Sequence, residues 1–266
     1  MQVSRSPAAH KICITVREIA QALKQTNEHG EAAEFDDYAR DYGAGMENPI
    51  KALAGDSAEG FVAIKLSWLL RRFPDLSAKD ASFRILDYGC GTATLLRLMG
   101  EAGLTASLLG CDVSVGMLEE ARRRWPPETP APDLHVQDGA LTPLATGSVD
   151  LVIISAVLHH VAPVDRLGVY AELQRVLKPG GRLVVFEHNP LNPVTRYVVA
   201  HTPIDQNAIL LRAREVNQAL RGLEFNEPQT TYLMFIPPRL TALAGIERAL
   251  HWLPLGAQYA VAATRR

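Results

Sequence analysis

The amino-acid sequence predicts an α/β fold, in which a mostly parallel β-sheet is covered by helices on both faces. The first observation is that short apolar runs alternate with amphipathic stretches from about residue 80 onward. The second is that residues typical of helix caps and tight turns separate these segments. The third is a length of 266 residues with 47% hydrophobic residues, which suffices for one substantial core. Strands that alternate with helices pair mainly in parallel.

The alternating region contains five predicted strands and three predicted helices. The strands are the apolar runs at 84–87, 106–111, 133–137, 149–156 and 182–187. The helices between them span 92–102, 114–125 and 165–177. Thr92 and Ser114 are expected to be the N-caps of the first two helices. The stretch LKPGG at 177–181 predicts a helix end followed by a tight turn.

The N-terminal region has a different pattern. Two segments with helical character, 34–46 and 58–73, precede the first strand. They predict an N-terminal helical cap over residues 1–80, followed by a Rossmann-like domain over residues 81–266.

The C-terminal region adds strands and two insertions. Apolar runs at 230–236 and 257–264 would complete a sheet of about seven strands. Insertions near 188–225 and 237–256 are expected to lie on the substrate side of the sheet. The first insertion adds three polar side chains to an otherwise apolar segment: Arg196, His201 and Asp205.

The composition narrows the function classes. The net charge of −2 lacks the basic excess of a nucleic-acid-binding surface. The three cysteines form no CxxC pair, so they indicate neither a disulfide framework nor a zinc site. No apolar run is long enough to cross a membrane, and the start of the chain lacks the apolar core of a signal peptide. A cytoplasmic protein without an integral membrane segment is expected.

A glycine turn follows the first predicted strand, in the stretch RILDYGCGTATLL. Gly89 and Gly91 allow the backbone to approach a ligand closely. Thr94 stands where a dinucleotide fingerprint needs its third glycine, and Asp87 would repel a pyrophosphate. The turn therefore favours a nucleoside that carries positive charge over a nicotinamide dinucleotide.

Two more carboxylates end the next two predicted strands. Asp112 can accept hydrogen bonds from both hydroxyls of a ribose, or it can cap the helix that begins near Ser114. Asp138 can accept from the amino group of adenine, with the amides of Gly139 and Ala140 beside the ring, or it can be a turn residue only. Ligands of open α/β sheets bind at the carboxyl edge of the strands, where these acids would lie.

Four stretches together resemble the successive motifs of class I S-adenosylmethionine-dependent methyltransferases: RILDYGCGTATLL, GCDVSVGMLEEARRR, QDGALTPLATGSVDLVIISAVLHHV and LQRVLKPGGRLVVFEHNP. The similarity covers about residues 35–190 and points to the small-molecule subgroup that includes ubiquinone and menaquinone methyltransferases. It implies a Rossmann-like sheet of seven strands with an antiparallel last strand. It also implies S-adenosyl-L-methionine as cofactor and a small organic acceptor.

The resemblance implies a role for each acid at the sheet edge. The turn from Asp87 to Gly91 would contact the methionine part of the cofactor, Asp112 the ribose, and Asp138 with Gly139 the adenine. The full set predicted to bind the cofactor is Tyr42, Asp87, Gly89, Gly91, Thr92, Asp112, Val113, Met117, Asp138, Gly139, Ala140, Ser155 and Ala156.

Two pairs of residues are expected to lie near the transferred methyl group or above the cofactor. Ser155 and Ala156 end the fourth strand and would flank the path of the methyl group. The stretch EFDDYARDY resembles an N-terminal helix that closes over the cofactor, which draws attention to Tyr38 and Tyr42. Ordinary helix packing is the alternative role for both tyrosines.

Catalysis of methyl transfer depends mainly on positioning, because the sulfonium donor is already activated. A base is needed only if the acceptor must lose a proton. The candidates follow the fourth and fifth strands: His159, His160, Glu187 and His188. Support of the loop is their alternative role. Adjacent histidines do not share a helix face, so no metal site is predicted.

Other functions fit the residues less well. Amino-methylating nucleic-acid methyltransferases carry an Asn/Asp-Pro-Pro-aromatic turn after the fourth strand, where this chain reads SAVL at 155–158. A non-catalytic protein that binds S-adenosylmethionine stays open, because binding residues alone do not establish turnover. The acceptor and the methylated atom, whether oxygen, nitrogen or carbon, also stay open. The apolar tail offers core packing, a homodimer interface or contact with a membrane surface.

Overall fold

The protein is built around one seven-stranded β-sheet. The computed structural model describes residues 35, 36, 39, 58–226, 228–236 and 249–266. The strands are β1 (Arg84–Tyr88), β2 (Ser107–Asp112), β3 (Asp133–Val136), β4 (Val149–Ser155), β5 (Leu177–His188), β6 (Gln229–Leu233) and β7 (Gln258–Thr264). Their spatial order is β3-β2-β1-β4-β5-β7-β6. Strand β7 pairs antiparallel with both β5 and β6, and the other neighbours pair in parallel.

Helices cover both faces of the sheet. They are α1 (Ala58–Arg72), α2 (Thr94–Glu101), α3 (Val115–Arg124), α4 (Arg166–Val176), α5 (Pro193–Ala200) and α6 (Ala213–Arg221), with short 3-10 helices at Pro74–Ala78 and Pro203–Asp205. Buried side chains of α1, α2 and α3 join one core cluster, and those of α4 and α6 join the other. The predicted fold class, a mostly parallel sheet with an antiparallel last strand, is confirmed.

Strand β4 shows why the sequence places a strand at the centre of the sheet. Leu151 and Ile153 lie in one core cluster, and Val152 and Ile154 lie in the other. All four are fully buried. Alternate residues of a strand point to opposite faces, so a continuous apolar run is what a strand covered on both faces requires. The carboxyl end of β4 therefore lies in the middle of the edge where the candidate site is built.

The predicted elements between residues 84 and 176 agree with the observed ones to within two residues at each end. Strand β5 is the main difference. It begins at Leu177, which pairs with Val149, and its next pair joins Arg182 to Leu151. The four residues between Leu177 and Arg182 form a bulge instead of the predicted turn, with Gly180 at a φ of 77°. The prediction of a tight turn before a strand that starts at residue 182 was wrong, because β5 already begins at Leu177 and its pairing with β4 is irregular as far as Arg182.

The two predicted N-caps have different outcomes. Ser114 caps α3, since its Oγ accepts the Met117 N–H at 3.0 Å. Thr92 does not cap α2. The N-cap residue of this helix is Ala93, which has a left-handed conformation and makes no side-chain capping hydrogen bond. The helix starts later because the glycine turn continues through Ala93.

The two ends of the chain are described in part. Phe35, Asp36 and Ala39 are helical, as is α1, while the rest of residues 1–57 lies outside the described residues. The insertion near 188–225 contains α5, a 3-10 helix and α6. Of the insertion at 237–256, the described part is 249–256. Among the described residues, no helix is both long enough and apolar enough to cross a membrane.

Candidate active site

Polar residues from four strands meet at the carboxyl edge of the sheet. Because β1, β2, β4 and β5 run parallel, Asp87, Asp112, Ser155 and Glu187 lie at or next to strand ends on the same side. Asp87, Asp112 and Glu187 are buried although each is ionisable. Buried ionisable groups clustered at such an edge indicate a functional site.

The glycine turn after β1 is fixed by contacts with both neighbouring strands. Gly89 has a φ of 69° and Gly91 a φ of 52°, which only glycine adopts without strain. A Cβ at Gly89 would lie 2.4 Å from Cγ2 of Val157, so the turn packs against the segment that follows β4. The Gly91 N–H donates to Oδ2 of Asp112 at 2.7 Å. The turn is therefore held in place before a ligand binds.

Asp112 connects the glycine turn to the start of α3. Its Oδ2 accepts the Gly91 N–H, and its Oδ1 accepts the Ser114 N–H at 2.9 Å. Burial raises the pKa of Asp112, although the hydrogen bonds from these backbone N–H groups lower it. Ser114 supplies the side-chain cap of α3, so capping does not need Asp112. Each carboxylate oxygen keeps a second lone pair that can accept a hydroxyl.

Asp87 is the buried acid at the mouth of the turn. Burial raises its pKa to about 7; Lys65 opposes the rise and Asp112 adds to it. Lys65 comes from α1, is itself buried, and donates from Nζ to Ser155 Oγ at 2.8 Å. The sequence reasoning missed Lys65, although a lysine within the apolar stretch FVAIKLSW was a signal that could have identified it.

Asp138 lies in an exposed turn after β3. Its N–H donates to the Leu141 carbonyl at 2.9 Å, and the Leu141 N–H donates back at 3.0 Å. Gly139 has a φ of 56°, and the Tyr88 hydroxyl donates to the Ala140 carbonyl at 2.8 Å. These hydrogen bonds show that Asp138 is a turn residue, which was the alternative role that the sequence predicted for it. They also place Asp138, Gly139 and Ala140 next to the end of β1.

The remaining residues predicted to bind the cofactor surround this edge. Ala156 takes a φ of 59° just after β4, an uncommon conformation for alanine. Met117 is buried in the first turn of α3, Val113 is half-buried before it, and Thr92 is half-buried in the glycine turn. Tyr42 lies outside the described residues, as does Tyr38. No contact of this set identifies a ligand, so its roles stay predictions.

The N-terminal helical segment contacts the site through residues that the sequence reasoning missed. Asp36 Oδ1 accepts the Gly116 N–H at 2.9 Å and also the Ser114 hydroxyl, at the start of α3. The Phe35 ring packs edge-on against the His160 ring, with centroids 5.1 Å apart. The segment therefore connects the cofactor side of the edge with the side that carries the histidines.

The four predicted catalytic residues lie together, and the structure adds Asp205. We call His159, His160, His188, Glu187 and Asp205 the histidine cluster. Glu187 is its buried centre: Oε1 accepts the Leu158 N–H at 2.7 Å, and Oε2 contacts His159 Nδ1 at 2.6 Å. The rings of His159 and His188 lie 5.0 Å apart. The end of β5 thus fixes the turn that follows β4.

Asp205 reaches the cluster because the insertion after β5 pairs with that turn. The Ile209 N–H donates to the His159 carbonyl at 2.7 Å. Arg166 donates from Nε to the carbonyls of Leu158 and Val161, at 3.0 Å each. Asp205 Oδ1 then lies 3.5 Å from Nε2 of His159. The sequence marked Asp205 as a polar group in an apolar segment but could not place it.

Charges within the cluster compensate one another. Burial opposes a proton on His159, but Glu187 and Asp205 outweigh it and raise the pKa of His159 to about 9. Burial and the neighbouring His159 lower the pKa of His160 to about 4 and that of His188 to about 3. Burial would raise the pKa of Glu187, but His159 lowers it to about 2. Of the three histidines, His159 is buried, whereas His160 and His188 are half-buried.

Known proteins resemble the chain in sequence. A family model described as a methyltransferase domain matches residues 86–185. Demethylmenaquinone methyltransferase of Parafrankia sp. is 33% identical over 192 residues, which cover 65% of this chain and 71% of that protein. The protein of the same name from Beutenbergia cavernae is 35% identical over 161 residues, which cover 60% of this chain and 58% of that protein. The chain thus spans only somewhat more than half the length of this second relative.

Solved structures resemble the chain in fold. The crystal structure of magnesium protoporphyrin IX methyltransferase from Synechocystis PCC 6803 with bound SAH has a TM-score of 0.59 and 18% identity. The similarity covers 93% of this chain and 100% of that chain. The crystal structure of a SAM dependent methyltransferase from Archaeoglobus fulgidus has a TM-score of 0.56 and 18% identity, and the similarity covers 77% of this chain and 94% of that chain. At this identity the likeness concerns the fold.

Proposed function

Because the chain belongs to the family of S-adenosylmethionine-dependent methyltransferases, we propose that it transfers a methyl group from S-adenosyl-L-methionine to a small organic acceptor. The observation that carries this proposal is the buried Asp87 at the glycine turn, whose pKa burial raises to about 7. A buried acid that its neighbours do not fully offset favours a cationic ligand. S-adenosyl-L-methionine presents both a sulfonium and an ammonium group.

The residues at the edge fit this cofactor. Among the residues that the structure describes, no atom lies within 4 Å of a Cβ added at Gly91 or at Gly139, so these residues leave the backbone at both turns open to a ligand. We assign the methionine part to Asp87, Gly89 and Gly91, the ribose to Asp112, and the adenine to Asp138, Gly139 and Ala140. The other proposed cofactor contacts are Tyr42, Thr92, Val113, Met117, Ser155 and Ala156. The bound cofactor supplies an activated methyl group, and the protein then has mainly to position the acceptor.

The histidine cluster is proposed to face the acceptor. His160 is half-buried, and its ring packs against Phe35 at the side where the N-terminal segment meets the site. His160 is the residue we assign to contact the acceptor and to take its proton where one must leave. Glu187 and His159 hold the turn that carries it.

The proposed acceptor is a small molecule and not a nucleic acid. The net charge of −2 supports this choice, since nucleic-acid surfaces are basic. Relatives named demethylmenaquinone methyltransferase support a quinone-type ring as the first acceptor to test. A cytoplasmic location and a homodimer formed through the apolar tail are parts of the same proposal.

Titration calorimetry tests cofactor binding. We expect S-adenosylmethionine or its demethylated product to bind with micromolar affinity. Asp112→Ala should weaken binding at least about 100-fold, since it removes the carboxylate that would accept two charge-assisted hydrogen bonds from the ribose. Asp133→Ala, at the exposed start of β3, is the control and should bind as the wild type. Equal affinity of Asp112→Ala and wild type would contradict the assignment.

Labelled cofactor tests turnover. Incubation with demethylated quinols, phenols and amines should transfer label to one acceptor class and not to tRNA or duplex DNA. Cofactor binding without transfer to any acceptor would favour a non-catalytic binding protein, and label in nucleic acid would favour the other alternative.

A further inference from the structure

We infer that His159, His160 and Asp205 form a binding site for a divalent transition-metal ion. The sequence predicts no metal site, because adjacent histidines on a helix point in different directions. The two histidines lie on a turn and not on a helix: the His160 N–H donates to the Val157 carbonyl at 3.0 Å, and the Val161 N–H to the Leu158 carbonyl at 3.3 Å. The turn directs both rings toward the same carboxylate.

The distances suit a shared metal ion. Asp205 Oδ1 lies 3.5 Å from His159 Nε2 and 3.6 Å from His160 Nε2, and the three candidate ligand atoms lie within 4.8 Å of one another. Bonds of about 2.0–2.1 Å in a tetrahedral zinc site place ligand atoms roughly 3.4 Å apart. The same separations are too long for good hydrogen bonds. The three atoms are thus spaced to hold an ion between them.

The surroundings of His159 resemble those of a metal-bound histidine. Its Nδ1 contacts Glu187 Oε2 at 2.6 Å, and a histidine that binds metal commonly donates its other ring N–H to a carboxylate. This leaves Nε2 fully buried, without a hydrogen-bond partner among the residues that the structure describes. The lone pair of His159 Nε2 would repel the nearby oxygen Oδ1 of Asp205, so a cation is needed between these two atoms. That cation is either a proton on Nε2 or the metal ion.

The ligand set predicts the class of ion. Two imidazoles and one carboxylate are typical of catalytic zinc and of other transition metals, whereas Mg²⁺ and Ca²⁺ prefer oxygen ligands. Three protein ligands leave a fourth position open, and His160 is the partly exposed ligand beside it.

The role of the ion rests on the proposed function. An acceptor hydroxyl could fill the open position: its oxygen forms a bond to the metal, its O–H bond breaks, and the proton passes to solvent water. The metal lowers the pKa of such a hydroxyl, as it does for bound water. In the metal-loaded protein His160 is a ligand and does not take the proton itself.

Metal binding is measured on untagged protein without cofactor or acceptor. After removal of metal by chelator, Zn²⁺ is titrated against a chromophoric competitor, and Co²⁺ is followed by its visible absorption. We expect one ion per chain, tetrahedral Co²⁺ bands, and at least about 100-fold weaker binding in His160→Ala, since loss of a second-shell partner alone costs about 10–100-fold. Asp205→Asn should weaken binding in the same way.

His135→Ala is the matched control, because His135 Nε2 also lies near a carboxylate, 3.0 Å from Asp133 Oδ2, but away from the cluster. It should bind as the wild type. His160 is only partly buried, so His160→Ala keeps the buried pair of His159 and Glu187 intact. No stoichiometric binding by the wild type would overturn the inference and leave a proton as the cation, and unchanged binding by His160→Ala would overturn the assignment of the ligands. Calorimetry with the cofactor is a separate measurement, so failure here leaves the proposed function standing.

Discussion

The two halves of the carboxyl edge handle buried charge in opposite ways. We call Asp87, Asp112 and Asp138 the acidic rim. Burial raises the pKa of Asp87 despite the opposing charge of Lys65, and it raises the pKa of Asp112 despite hydrogen bonds from backbone N–H groups. In the histidine cluster, His159 lies between two carboxylates, and the pKa of Glu187 and that of Asp205 are lowered. His159 supplies positive charge between the two carboxylates of the cluster, whereas Lys65 offsets the burial of Asp87 only in part, which leaves the rim suited to a cationic ligand.

This difference implies opposite responses to mutation. Removing a charge from the cluster leaves its partner buried and unpaired, which destabilises the fold. Removing a buried carboxylate from the rim should stabilise the ligand-free protein and weaken ligand binding. Opposition between stability and function is common at active sites.

The largest effect is expected for Glu187→Gln. The change leaves a protonated His159 without its main partner and should lower the free energy of unfolding by about 3–5 kcal/mol. Urea denaturation measures it. Glu59→Gln is the control: Glu59 pairs with Arg97 at 2.7 Å but its side chain is 52% exposed, so the loss should stay within about 1 kcal/mol. Equal losses in the two variants would show that the cluster is not charge-compensated.

The two glycines of the turn separate folding from binding within the rim. Gly89→Ala places a Cβ 2.4 Å from Val157 at a φ of 69°, and we expect a loss of about 2–4 kcal/mol. The Cβ of Gly91→Ala meets no atom of the described residues within 4 Å, so this variant should lose only about 1–2 kcal/mol, from its positive φ. Its methyl group would, however, enter the proposed cofactor space and weaken binding at least tenfold. Denaturation and calorimetry on both variants check this; equal stability losses would contradict it.

The sequence predicted those parts of the site that depend on the strand pattern. Asp87, Asp112 and Glu187 end apolar runs, and parallel pairing brings strand ends together. Lys65, Asp205 and Asp36 could not be placed in the same way. Lys65 lies 90 residues from its partner Ser155, and Asp36 lies 80 from Gly116. Such contacts depend on how a helix or insertion packs over the edge, which periodicity does not encode.

The pH dependence of stability tests the charge on Asp87. Its folded pKa of about 7 lies above the usual value of 3.8, so the folded state binds the proton more tightly than the unfolded state does. The proton on Asp87 therefore stabilises the folded state fully below about pH 4, and this stabilisation is lost as pH rises through about 7. Asp87→Asn should remove this loss and raise the stability of the ligand-free protein at pH 8 by about 1–3 kcal/mol.

Asp87→Asn should at the same time weaken cofactor binding, because the neutral amide does not attract a cation. Thermal unfolding between pH 5 and pH 8, with and without S-adenosylmethionine, measures both effects. If the wild type and the variant lose stability in parallel as pH rises, the acidic rim does not hold the uncompensated charge that sets it apart from the cluster.

The smallest effect is expected at the contact that joins the two halves. Asp36→Ala removes a carboxylate that accepts two hydrogen bonds at the start of α3, which should cost about 1 kcal/mol, as loss of a helix cap does. Asp80→Ala is the matched control, since Asp80 accepts two hydrogen bonds from Ser82 in an exposed loop away from the site. Both variants should lose similar stability. Only Asp36→Ala should also weaken cofactor binding, about three- to tenfold, because it loosens the segment that connects α3 to His160. Equal cofactor affinity in the two variants would mean that the N-terminal segment covers the edge without coupling its halves.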